Sequence, residues 1–223
     1  MVRGPESEFR SPEERITALE HELKEIKGRL WCEQCEVPYG AVLSDRDLKR
    51  LIENGRVGIN PLPNLEIGKD SDLGTCKVDL HLGSEAMYID PTKVASLDLS
   101  ESIPEDYYEK VNLRKQRVII PTNRVIIATT QERLKLPDDM IGILVGKSGN
   151  ARRGLKVEGA PIFDAGFDTF PMLELQNTSG LPLTARYGES ICAMVFQHLS
   201  SPTLQGYAQR QGVKYSNQDG ARI

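Results

Sequence analysis

Ile16, Leu19, Leu23, Ile26 and Leu30 stand three, four, three and four residues apart, so on a helix they form one apolar stripe, the a and d positions of a heptad. Ser11-Pro12-Glu13-Glu14 supplies its start: an N-cap, a proline at the first helical position and a capping-box glutamate. Residues 1–10 read as a disordered leader. The stripe spans about two and a half heptads, short of what a free-standing coiled coil wants. Two readings follow, an amphipathic helix lying on its own domain or a self-associating seam. The run Arg15-Ile16-Thr17-Ala18-Leu19-Glu20 favours the seam, because it resembles a motif of short three-stranded coiled coils.

A second capped helix is expected from Ser44, with Asp47 at its third position, Leu48, Leu51 and Ile52 on one face, and its end near Asn54-Gly55. Beyond it the period changes to two. Val78, Leu80 and Leu82 alternate with Asp79 and His81, and strand-like runs recur at residues 117–120, 124–129, 141–145, 172–176 and 191–196. Proline and glycine punctuate the intervals. Many short strands with little helix predict an all-β sandwich or barrel. The organisation expected is therefore a leader and helix over 1–40, a β domain over 41–204 and a polar tail over 205–223, which on its own reads as a frayed terminus.

Composition narrows the setting. The 223 residues, 39% of them hydrophobic, suffice for one substantial core. A net charge of −4 argues against a nucleic-acid surface, which needs a concentrated cationic stripe. No apolar run approaches the roughly 20 residues that span a bilayer, and the charged first thirty residues do not read as a signal peptide. Cys32, Cys35, Cys76 and Cys192 are too few and too uneven for a secreted disulfide framework. A cytoplasmic protein without a membrane or nucleic-acid partner is expected.

Candidate chemistry lies in two stretches. Gly146-Lys147-Ser148 invites a phosphate-loop reading, but the required glycine five residues earlier is replaced by Ile141. The run from Gly146 to Gly154, with Lys147, Ser148, Arg152 and Arg153, still suits an anion, since cationic side chains, a hydroxyl and permissive backbone meet at a turn. Its bland alternative is a solvated basic turn. In the second stretch, the tight turn Asp164-Ala165-Gly166-Phe167 precedes the strand carrying Glu174. Alternation puts Met172, Glu174 and Gln176 on one face. Facing a cleft, Glu174 gains a raised pKa and suits proton transfer near neutral pH; facing water, it only solubilises the strand.

Cys32-Glu33-Gln34-Cys35 has metal or redox spacing but lacks the second pair of a zinc ribbon. Reduced thiols and a zinc shared between subunits both remain open. None of His21, His81 and His198 forms the His-x-Glu that zinc nucleobase deaminases use, so no catalytic zinc is expected.

Residues 43–47, 55–61, 78–83 and 146–155, followed by Asp164-Ala165-Gly166-Phe167, Leu173-Glu174, Tyr207 and Lys214-Tyr215-Ser216-Asn217-Gln218, resemble the successive blocks of dCTP deaminases, in family order. The likeness covers about residues 42 to 223. It implies a distorted β-barrel or jelly-roll of the dUTPase-like fold, assembled as a homotrimer with active sites between subunits and a C-terminal tail that closes over the nucleotide. Glu174 is implied as general base and acid, and Ser148 and Arg152 as organisers of water and base. Lys147, Tyr207, Lys214 and Gln218 are implied at the triphosphate, and Asp164 and Phe167 at the deoxyribose and base. The substrate implied is dCTP or dUTP, with Mg²⁺ accompanying the triphosphate.

The chain also departs from the family. Lys147-Ser148-Gly149 stands where Arg-Ser-Ser is usual, removing a bidentate phosphate fork and a hydroxyl. The span from Leu155 to Asp164 is one residue shorter than is typical, and Pro171 precedes the Glu174 strand. Asp164-Ala165-Gly166-Phe167 resembles archaeal members that also cut the triphosphate, so a bifunctional enzyme giving dUMP is the nearest alternative. A nucleotide-binding regulator without catalysis is the second.

Overall fold

A computed structural model describes residues 11–32, 36–158 and 160–210. The chain divides into two units, Met1–Tyr39 and Gly40–Ile223. In the first, helix α1 (Pro12–Leu30) starts at the expected capping box: the Ser11 hydroxyl accepts from the Glu14 amide at 3.2 Å, and the Glu14 carboxylate accepts from the Ser11 amide at 2.7 Å. The five seam residues are all 52–63% exposed. Strands β1 (Trp31–Cys32) and β2 (Val37–Pro38) follow the helix and pair antiparallel. Cys35 and the leader lie outside the described residues.

The second unit opens with α2 (Asp45–Glu53), N-capped by Ser44. Its stripe of Leu48, Leu51 and Ile52 is buried, each such side chain being worth about 1.5–3 kcal/mol relative to exposure. Strands follow in order: β3 (Gly58–Asn60), β4 (Leu73–Gly74), β5 (Lys77–Ile89), β6 (Tyr108–Asn112), β7 (Val118–Ile120), β8 (Val125–Thr130), β9 (Arg133–Lys135) and β10 (Met140–Gly146). After the single turn α3 (Ser148–Ala151) come β11 (Leu155–Glu158), β12 (Ile162–Phe163), β13 (Asp168–Thr169), β14 (Met172–Asn177), β15 (Leu183–Ala185) and β16 (Ser190–His198).

The main sheet runs β11-β14-β8-β5-β16-β10-β12, with β4 and β6 also on β5. Strand β5 makes it curl. Its first half pairs β16 and its second half pairs β6 and β8, with a register shift between Leu82 and Ala86. Gly83 sits in that bend, where a Cβ would come within 2.7 Å of the Thr129 hydroxyl and the Thr130 carbonyl oxygen, so only glycine admits the close approach. Leu80, Leu82, Ile126, Leu134, Met140, Leu173, Leu175 and Phe196 are fully buried inside the curl. This is the mainly β, distorted-barrel architecture expected, with the N-terminal helix as an added element.

Candidate active site

Glu174 lies on β14 between β8 and β11, opposite Ile127 and Glu158 in the ladders. Leu173 and Leu175 turn into the core, so alternation forces Glu174 onto the other face with Met172. That face forms one wall of a cavity of about 330 Å³. Ile103, Tyr108, Ile127, Phe163, Phe167 and Phe170 supply most of its apolar lining, and Asp164 and Tyr207 its polar edge. Burial among these groups raises the Glu174 carboxyl above the ordinary glutamate value, against a smaller opposing effect of its own backbone amide.

The Asp164 turn builds the opposite wall. The Phe167 amide donates to the Asp164 carbonyl at 3.1 Å, and Phe167 returns its carbonyl to the Leu136 amide at 2.8 Å. Gly166 has φ +79°, and a Cβ there would lie 2.8 Å from Asp138 Oδ1 and 2.9 Å from the Tyr207 nitrogen; glycine is required on both counts. The tight turn lets the Tyr207 amide reach the Ala165 carbonyl at 2.8 Å. The Phe167 ring meets Phe163 edge-on at 5.0 Å and Tyr207 at 5.7 Å. The Asp164 carboxylate lies 3.4 Å from Arg210 Nη1. Lys214 and Gln218 fall outside the described residues.

The basic turn is a separate patch. Ser148 and Arg152 are exposed, and neither lines the Glu174 cavity of its own chain. Asn150 holds the turn down: its Nδ2 donates to the carbonyls of Ser190 and Ile191 at 3.4 and 3.2 Å. The Lys147 ammonium bonds the Asp79 carboxylate and, at 2.6 Å, the Ser190 hydroxyl. Within one chain Lys147 is thus tied to the sheet. The residues brought together are Glu174, Asp164, Phe167 and Tyr207; Lys147, Ser148 and Arg152 stand apart from them.

Sequence reasoning missed the buttress residues Asp79, Asn150 and Ser190. The alternation around Asp79 carried a usable signal, since it places a carboxylate on a solvent-facing side; Asn150 and Ser190 carried none. Also unforeseen were Ile103 and Tyr108, which reach the cavity from a different stretch of chain.

A half-buried acid of raised pKa in an aromatic cavity on a curled antiparallel sheet defines a small-molecule site suited to proton transfer. The dCTP deaminase-like family model matches residues 42–199, and the chain belongs to that family. It is 33% identical to the dCTP deaminase of Thermomicrobium roseum over 180 residues, covering 79% of this chain and 89% of that protein. Identity to the dCTP deaminase of Rhodospirillum rubrum is 35% over 184 residues, covering 79% and 92%. A Dictyoglomus thermophilum relative, named dCTP deaminase, dUMP-forming, is 32% identical over 183 residues, covering 80% and 91%. The crystal structure of 2'-deoxycytidine 5'-triphosphate deaminase from Agrobacterium tumefaciens superposes with a TM-score of 0.56 at 19% identity. That match covers 71% of this chain and 47% of the other, so the chain spans about half its length. No helix among the described residues is long and apolar enough to cross a membrane.

Proposed function

We propose that the protein deaminates dCTP hydrolytically to dUTP and ammonia, with Glu174 carrying the protons. The single observation behind this reading is the Glu174 carboxyl, raised by burial inside the aromatic cavity. Its carboxylate takes a proton from water while the hydroxide adds to C4 of cytosine, and delivers that proton to N3. It then moves the proton of the new C4 hydroxyl to the amino group, which leaves as ammonia, and C4 becomes the uracil carbonyl. One acid serves both transfers.

Ser148 and Arg152 enter from a second copy of the chain, which is how a homotrimer with shared sites reconciles their distance from the cavity of their own chain. There the Ser148 hydroxyl holds the water and Arg152 the base. Phe167 packs the base and sugar from the Asp164 turn, and Asp164 borders the deoxyribose. Tyr207, with Lys214 and Gln218 of the tail, holds the triphosphate, and Mg²⁺ arrives with it as a hard cation on phosphate oxygens. Lys147 reaches a phosphate only by leaving Asp79, so its first role is to brace the turn. The chain lacks a His-x-Glu and Pro-Cys-x-x-Cys pair, so the water is activated without catalytic zinc. A cytoplasmic enzyme of nucleotide metabolism fits this chemistry.

Two experiments on the purified full chain test the reading. Ammonia is released from dCTP at an unchanged rate after zinc chelation. Glu174→Gln lowers that rate by about 10²–10⁴-fold while dCTP still binds. Binding of dCTP by the wild type with no product would replace the enzyme with a nucleotide-binding regulator. A second product is favoured by relatives named dUMP-forming at 32% and 29% identity: a bifunctional enzyme would carry dCTP through dUTP to dUMP.

A further inference from the structure

We propose that α1 is a self-association element in which three copies of this chain pair their helices parallel and in register. The helix lies outside the residues that match the family, 42–199, and the inference is independent of the reading of the active site. It starts from five large apolar residues in strict heptad spacing, all more than half exposed in the isolated chain. The rest of the helix is polar or small: Thr17, Ala18, His21, Lys24, Glu25 and Gly28 occupy the outward positions. There is one apolar face, and it runs the length of the helix.

The flanking charges choose the arrangement. With Ile16, Leu23 and Leu30 at a and Leu19 and Ile26 at d, Arg15 and Glu22 fall at g and Glu20 and Lys27 at e. In a parallel, in-register assembly each g residue meets the e residue of the next heptad on its neighbour. Arg15 then faces Glu20, and Glu22 faces Lys27, both opposite in sign. All five seam residues find their own kind across the interface. An antiparallel pairing with a facing d matches only four of the five. One such alignment leaves out Leu30 and opposes Glu22 to Glu22; the other leaves out Ile16.

The number of copies follows from the flanking motif, since the core order points both ways. The first heptad, Ile16 at a and Leu19 at d, has the dimer-favouring order, whereas the second, Leu23 at a and Ile26 at d, favours higher states. Arg15 and Glu20 around Ile16 and Leu19 resemble the trimer motif noted above. Closed threefold symmetry also makes all three helices parallel. A seam this short is marginal for an isolated peptide, so it acts here as one contact of a larger chain, where tethering raises its effective concentration.

The test uses the full chain. Sedimentation equilibrium reads association against the 24.9 kDa chain mass. Leu19→Asp with Leu23→Asp should weaken association at least about tenfold, since two buried leucines per helix are replaced by charge. Independently, Leu23→Cys under mild oxidation should yield a peptide joining position 23 to position 23 of another copy, identified by mass spectrometry. Association unaffected by the aspartates would overturn the proposal. So would linked peptides absent at 23 to 23 in a chain that still assembles.

Discussion

The Lys147 ammonium is bound by the Asp79 carboxylate, a contact between the end of β10 and a strand two places away across β16. The first residue of the basic turn is therefore anchored in the sheet, and Asn150 anchors its middle. Ser148 and Arg152, between and beyond these anchors, are free of both and point their exposure outward. A turn anchored at two points suits the roles proposed for Ser148 and Arg152.

Lys147→Ala strands a carboxylate whose side chain is 20% exposed, so it should cost about 1–3 kcal/mol of stability in urea unfolding. Lys147→Arg keeps a cation within reach of Asp79 and should hold stability within about 1 kcal/mol while preserving or tightening nucleotide binding. A double-mutant cycle with Asp79→Asn isolates the pair. Additive single effects in that cycle would remove the bracing role.

The raised Glu174 carboxyl fixes the sign of a pH effect. Between the ordinary value of 4.5 and the higher folded value, the folded chain keeps a proton that the unfolded chain has lost. Stability attributable to this group therefore falls as pH rises through that window, and stays lower above it. Glu174→Gln has no such proton. The variant should match the wild type in thermal stability at pH below 4.5, exceed it by a margin that grows through that window, and keep that margin above it. A difference that stays flat across that range would mean that burial does not raise the carboxyl.

Much of this was legible in the sequence because the signals were periodic. Both capped helices, the strand runs and the face carrying Glu174 follow from spacings and caps that local physics enforces. The short strands Gly58–Asn60, Arg133–Lys135 and Asp168–Thr169, which form a sheet of their own, were not legible. Two or three residues are too few to display a period, and their pairing is set by tertiary packing. The cavity was half legible: Glu174, Asp164, Phe167 and Tyr207 came from blocks in order, whereas Ile103 and Tyr108 arrive by the curl of the sheet. Asp79 showed as an outward carboxylate in its strand's alternation, but its pairing with Lys147, 68 residues away, did not.

On the proposed reading, the product of the reaction turns on Asp164. Deamination needs an acid at C4 of the base, the role proposed for Glu174 on the cavity wall. Cutting the triphosphate needs a second carboxylate, free to activate water against the α-phosphate. Asp164 stands at the cavity edge, within 3.4 Å of Arg210, so its charge already has a cationic neighbour at the root of the tail. On that reading, a carboxylate paired with a cation is less suited to drawing a proton from water. The expected product from dCTP and Mg²⁺ is therefore dUTP, read by anion-exchange chromatography. Asp164→Asn should reduce deamination through substrate binding, raising KM more than it lowers kcat. Accumulation of dUMP with pyrophosphate would reverse the assignment. If Asp164→Asn then stopped at dUTP, the aspartate would be the activating base of a second hydrolytic step in the same cavity.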